Sequence, residues 1–138
     1  MKIIVDTCVW SLAFRRRSAA LLSESETALV AQLRSAIQSK EAAIIGPIRQ
    51  EILSGIRDKA KFALTRGLLD PFPDEEIVAA DYVESARLFN FCRDHGVECG
   101  PVDILLCAIA IRMKFEILTN DADILRCIET MRSAGLNI

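Results

Sequence analysis

Apolar positions along the chain follow two periods. Short continuous apolar runs occur at Ile3-Ile4-Val5, at Ala42 to Ile45 and at Ile117-Leu118-Thr119. Such runs suit strands covered on both faces. Between them, apolar residues recur every three or four positions. Ser23 and Glu26 have capping-box spacing, and Leu29, Leu33, Ala36 and Ile37 form one stripe, which predicts a helix from about Glu24 to Ser39. Gly46-Pro47 ends the second strand and opens a helix marked by Ile48, Ile52, Leu53 and Ile56, with Gly55 near its end. A further helix is predicted over about Asp58 to Leu69, then a turn or very short strand at Asp70-Pro71-Phe72-Pro73. Val78, Tyr82, Ala86 and Phe89 mark a long helix over Glu75 to His95, with Gly96 as its C-cap.

The run Ile104 to Ile111 is ambiguous between a central strand and a buried helix. Ala108, Ala110 and a capping Asp103 favour a helix reaching Met113. Ile124 to Ser133 reads as the last helix and Leu136-Asn137-Ile138 as an edge strand. Val9 to Phe14 reads as a short helical turn, and Arg15-Arg16-Arg17-Ser18 as an exposed basic loop. Strand and helix alternate, so the expectation is a single α/β domain over 1–138 with a mostly parallel sheet.

Composition narrows this little. Hydrophobic residues make up 51% and charged residues 26% of 138, as in ordinary globular domains. A net charge of -2 does not exclude a nucleic-acid partner, because charge distribution matters more than the total. Five cysteines without a C-x-x-C pair, beside a single histidine, do not meet zinc spacings. They read as free thiols of a reducing compartment. The longest apolar run is far short of the roughly 20 residues that span a bilayer. Met1 to Asp6 turns acidic too soon for a signal peptide. A cytoplasmic protein with no membrane partner is therefore expected.

The candidate chemistry lies in acids. Open parallel sheets bind ligands beyond the C-terminal ends of their strands. Asp6 and Asp121 follow the first and last inner strands directly; Glu51 and Asp103 stand in the first turns of helices opening on the same side. Carboxylates gathered there repel one another unless hard divalent cations compensate. Mg²⁺ or Mn²⁺ held so can activate water for in-line attack on a phosphodiester. Each acid also has a plainer reading: Asp6 and Asp103 as caps, Glu51 as a surface residue, Asp121 and Asp123 as turn residues. Trp10 reads as packing rather than base stacking, and His95 as a surface residue at a helix end. Two other classes remain open. One is a non-catalytic RNA-binding or interaction domain. The other is a phosphatase-like domain, for which Asp6-Thr7-Cys8 lacks the second acid two positions on.

Four segments carry a resemblance. Ile4-Val5-Asp6-Thr7, the helix Ile48 to Gly55 with Glu51, the run Asp103 to Ala110, and Leu118-Thr119-Asn120-Asp121-Ala122-Asp123 together resemble the PIN-domain nucleases. More narrowly they resemble the VapC-type toxins of toxin–antitoxin pairs. The resemblance spans essentially the whole chain. It implies a three-layer α/β/α sandwich with sheet order 3-2-1-4-5 and Mg²⁺- or Mn²⁺-dependent cleavage of RNA. Asp6, Glu51, Asp103 and Asp121 would be catalytic metal ligands, Asp123 a further ligand or water-holder, and Thr7 and Thr119 nearby hydroxyls. It also implies a homodimer and inhibition by a cognate antitoxin. Two positions depart from the pattern: Ile124 stands where the family often has Phe, and Lys114-Phe115 replaces a helix-ending Gly.

Overall fold

The computed structural model describes residues 1–14 and 21–138; the basic segment Arg15–Arg17 lies outside them. Strand β1 (Ile3–Val5) is followed by helices α1 (Thr7–Phe14) and α2 (Glu24–Gln38), then β2 (Ala42–Ala43). Helices α3 (Gly46–Ser54), α4 (Lys59–Leu69), α5 (Ala79–Asp94) and α6 (Pro101–Met113) precede β3 (Glu116–Leu118) and α7 (Ala122–Ser133). The fold is α/β, with helices layered about a small parallel sheet.

β1 lies in the centre, between β2 and β3, and both pairings are parallel. Ile4 faces Ala43 on one side and Ile117 on the other, and Val5 faces Leu118. Ile4 and Val5 are fully buried. The order β2-β1-β3 is the middle of the expected five-stranded arrangement. The outer strands are reduced. Beyond β2 there is a single parallel bridge, Ile44 to Asp74, beside a segment held by Arg49. That guanidinium donates from Nε to Asp74 at 2.9 Å, from Nη1 to the Leu69 carbonyl at 3.0 Å, and also to the Phe72 carbonyl. On the far side, residues 136–138 form no strand. Gly135, at φ +89°, closes α7, and Leu136 N–H returns to the Met131 carbonyl at 3.0 Å. This helix-ending turn, with Arg132 Nε donating to the Ile138 carbonyl at 2.7 Å, ties the tail to α7, so that it lies beside β3 without pairing with it.

Helix α6 carries both halves of the core. Every residue from Ile104 to Ala110 is buried. Leu105, Leu106, Ile109 and Ala110 join Trp10, Leu33 and Ile48 in one cluster; Ile104, Cys107 and Ala108 join Leu88, Ile124, Cys127 and Met131 in another. A helix packed on all sides needs no amphipathic stripe, which is why its sequence resembles a central strand. Trp10 is core: its Nε1 donates to the Val5 carbonyl at 3.2 Å, and Phe72 meets it edge-on at 5.2 Å.

Helix α5 begins at Ala79 rather than Glu75. Glu75 N–H bonds to the Ile44 carbonyl at 2.9 Å, which fixes that residue beside the sheet. The Asp81 carboxylate accepts Val78 N–H at 2.9 Å and marks the helix start. Asp81 is 2% exposed and receives Arg112 of α6 through two bonds, 2.6 and 2.8 Å. The pair fastens α5 to α6. Among the described residues, no helix is long and apolar enough to cross a membrane.

Candidate active site

Asp6 extends the central ladder by one rung, its N–H bonding to the Leu118 carbonyl at 3.0 Å. Its own carbonyl then starts α1, accepting Val9 N–H at 3.1 Å. The side chain is therefore fixed where β1 stops and α1 begins, 4% exposed. Its Oδ1 accepts Thr7 N–H at 2.8 Å. Its Oδ2 accepts the Thr119 hydroxyl at 2.9 Å and the Cys8 thiol at 3.1 Å.

Thr119 joins two acids. While its hydroxyl donates to Asp6, its oxygen accepts Asp121 N–H at 3.0 Å. Asp121 caps α7, its Oδ1 accepting from Asp123 N–H at 2.9 Å and Ile124 N–H at 3.0 Å. Thr7 makes the corresponding link on the other side, donating to Glu51 Oε1 at 2.7 Å. Glu51 is exposed on α3, whose start is set by Pro47. One hydrogen-bonded chain thus runs Glu51–Thr7–Asp6–Thr119–Asp121 along the C-terminal edge of the sheet.

Asp103 reaches the same place from α6. The helix begins two residues before it, so Asp103 is not the N-cap residue. It sits in the first turn, and its Oδ2 accepts Gly100 N–H at 3.1 Å. Its pKa is raised to about 6, first by burial and then by the charge of Asp6, with Asp121 and Glu51 adding to the repulsion and the Gly100 bond opposing it. All four acids therefore act on one volume.

Asp123 is exposed and pairs with Arg126; its contribution to the chain is the backbone N–H given to Asp121. His95 lies at the end of α5, its Nδ1 2.8 Å from the Phe91 carbonyl, in none of these contacts.

Cys8 is the site neighbour that sequence reasoning passed over. Its Sγ approaches Thr119 Oγ1 at 3.6 Å besides bonding to Asp6. Burial, above all, raises its pKa, so the thiol is a weak nucleophile. The one signal for it was position: two residues beyond Asp6, in the first turn of a helix.

The donor set suits a hard cation, being all oxygen. Among the described residues, no three acidic, thiol or imidazole side chains are drawn into a ready ligand shell. Protein donors hold both oxygens of Asp6, but only one oxygen each of Glu51, Asp103 and Asp121. Glu51 Oε2, Asp103 Oδ1 and Asp121 Oδ2 take no protein donor among the described residues. An open depression of about 650 Å³ beside Glu51 is lined also by Thr7, Pro47, Gln50, Ser54 and Val102. It leaves room for an extended ligand.

A parallel sheet presenting acids and hydroxyls at its C-terminal edge defines an α/β domain of the nuclease kind. The family model described as PIN domain matches residues 3–128, and the chain belongs to that family, whose members are in general nucleases acting on phosphodiesters. The fold is also that of a chain in the crystal structure of FitAcB from Neisseria gonorrhoeae. That likeness has a TM-score of 0.66 at 23% identity and covers 92% of this chain and 93% of the other. No curated protein sequence matches the chain.

Proposed function

We propose that this protein is a Mg²⁺- or Mn²⁺-dependent endoribonuclease, with Asp6, Glu51, Asp103 and Asp121 as its metal-holding acids. The observation that carries the reading is the hydrogen-bonded chain from Glu51 to Asp121, with Asp103 within electrostatic reach of it. Three acids linked through Thr7 and Thr119, with a fourth beside them and no lysine or arginine paired to any of the four among the described residues, form a site that cations complete.

The residues divide the work. Glu51, Asp103 and Asp121 would hold the cation through their free oxygens. Asp6, deepest and most constrained, sets the position of the others through Thr7 and Thr119, and would join the ligands as Cys8 gives way. Asp123 stands beside Asp121 as a second-tier water-holder. A bound divalent ion supplies charge neutralisation at the phosphate and a more acidic water. The carboxylates would orient the attacking water and take up its proton.

RNA cleavage with Mg²⁺ or Mn²⁺, then with EDTA, then by Asp6→Asn, tests the proposal. Strong cleavage that survives chelation or the substitution would overturn it.

The reading extends to a toxin restrained in the cytoplasm by a small cognate antitoxin. An anionic pocket accepts an arginine or lysine inserted by an inhibitor. Most apolar side chains of α1 and α3, among them Val9, Trp10, Leu12 and Ile48, are committed to the core, and only Phe14, Ile52 and Ile56 line the shallow depression where these helices meet α4. Phe62, Leu64 and Leu68 of the adjoining α4 are exposed instead. A homodimer is supported by a second apolar depression, about 440 Å³, between α5 and α6 and lined by Tyr82, Phe89, Val102 and Leu105.

A further inference from the structure

A cluster of acids repels a polyanion, so a nuclease of this kind needs cations nearby to hold the strand on either side of the reacting phosphate. Glu51 faces two depressions. One is the opening it shares with Thr7 and Gln50. The other, about 200 Å³, lies among α1, α3 and α4 and is lined by Ser11, Phe14, Glu51, Ile56, Lys61 and Thr65. Lys61 thus lies on the same groove as a proposed metal ligand.

The chain concentrates positive charge at that place. Arg57, Lys59 and Lys61 occur within five residues, on the turn between α3 and α4 and in the first turn of α4, all exposed. Ion pairs among the described residues engage Lys2, Arg49, Arg87, Arg112 and Arg126, and none of these three. The intervening Asp58 spends its carboxylate on Lys61 N–H at 2.8 Å, capping α4. Net charge for the whole protein is -2, so this concentration is local.

Resting on the nuclease reading, we infer that Lys61, with Arg57 and Lys59, holds backbone phosphates of the RNA strand flanking the cleavage point, in the groove that leads from Glu51 along α4. The lining favours a nucleotide strand over a peptide helix. Ser11 offers a hydroxyl suited to phosphate and sugar oxygens, and the apolar side chains interleave with polar ones. Such contacts carry no sequence information. They set the register of the strand and make substrates that end at the cleavage point poor ones.

The test uses the full chain carrying Asp6→Asn, with Mg²⁺ present and fluorescein-labelled oligouridylate about twelve nucleotides long as the probe. Binding is measured by anisotropy at several KCl concentrations. Removing one cation–phosphate pairing should flatten the slope of log K against log [KCl] by about 0.7. The expected result is a slope flatter by about 0.7 for Lys61→Ala and by about 2 for the triple alanine variant. Lys61→Arg should keep the parent slope. Lys114→Asn removes the same charge at the opposite edge of the sheet and should also keep it. Slopes for Lys61→Ala and the triple variant equal to that of Lys114→Asn would overturn the inference, and would assign the patch to a protein partner. Cleavage of RNA by the wild type is scored separately. Cleavage with unchanged slopes defeats this inference alone, whereas no metal-dependent cleavage defeats the nuclease reading and this inference with it.

Discussion

Replacing Asp103 by asparagine should make the metal-free protein more stable while destroying its activity. In the folded chain the carboxyl has a pKa raised to about 6 from 3.8, because burial and the charges of Asp6, Asp121 and Glu51 oppose ionisation. Holding it ionised at pH 7.5 then costs up to about 3 kcal/mol, at 1.36 kcal/mol per pH unit. Partial exposure screens part of this, so a gain of about 1–2 kcal/mol is expected for Asp103→Asn. The bond to Gly100 N–H is retained, since an asparagine oxygen can accept it as the carboxylate does. Urea denaturation in EDTA at pH 7.5 measures the difference. The pH dependence supplies an internal check. Between pH 6 and 4 the native wild type keeps a proton that the unfolded chain releases. Wild-type stability therefore rises as pH falls through that window, and the advantage of the variant disappears below about pH 4. Adding Mg²⁺ should reverse the ranking, because only the wild type then gains binding energy. A loss of more than about 2 kcal/mol in EDTA would show that Asp103 is chiefly a structural cap, and the electrostatic argument would fall.

Arg112→Met should destabilise the fold by about 3 kcal/mol, since it strands the buried Asp81 carboxylate; chemical denaturation reads this directly. The Arg112 guanidinium, above all, holds the Asp81 pKa below its ordinary value, so the pair's contribution is present above about pH 4 and is lost on further acidification. An acid titration of the wild type against Arg112→Met should show it. Thr119→Val removes the link between Asp6 and Asp121 and should lower kcat about 10- to 100-fold with the melting temperature nearly unchanged, while Thr119→Ser restores it. Mg²⁺ at about a hundred times its Kd should stabilise the wild type by about 2.7 kcal/mol and leave Asp6→Asn almost unmoved in a thermal melt.

Much of the fold was legible because local and tertiary signals agreed. Ser23 and Glu26 form the capping box their spacing implies, and Pro47 opens α3 as proline does at a first turn. The signals that misled concern the outer edges. Leu136 to Ile138 looks like a strand, but Gly135 and the Arg132 bond to the Ile138 carbonyl tie it to α7 instead of the sheet, and the periodicity before Ala79 is overridden by contacts of Glu75 and Asp81 with Ile44 and Val78. Lys114 takes the left-handed conformation, φ 57°, in the place where a glycine was expected. The site was legible as acids after strands. The links through Thr7 and Thr119 rested on the family resemblance, and the part of Cys8 had no sequence signal beyond its place, because which atom faces which depends on the rotation of α1 against β3.

The second core cluster contains four cysteines, Cys92, Cys99, Cys107 and Cys127, all buried. Burial, above all, pushes the thiol of Cys92 up to about 12 and raises those of Cys99 and Cys107 further. While α5, α6 and α7 stay packed, these sulfurs are chemically silent at neutral pH. Once the helices separate, they become ordinary thiols crowded on one short stretch of chain, and air oxidation can join them in pairings that bar refolding. Survival in an oxidising buffer then becomes a matter of how often this half of the molecule opens, rather than how stable it is when closed. The rate at which a thiol reagent in excess labels these four positions would time that opening event.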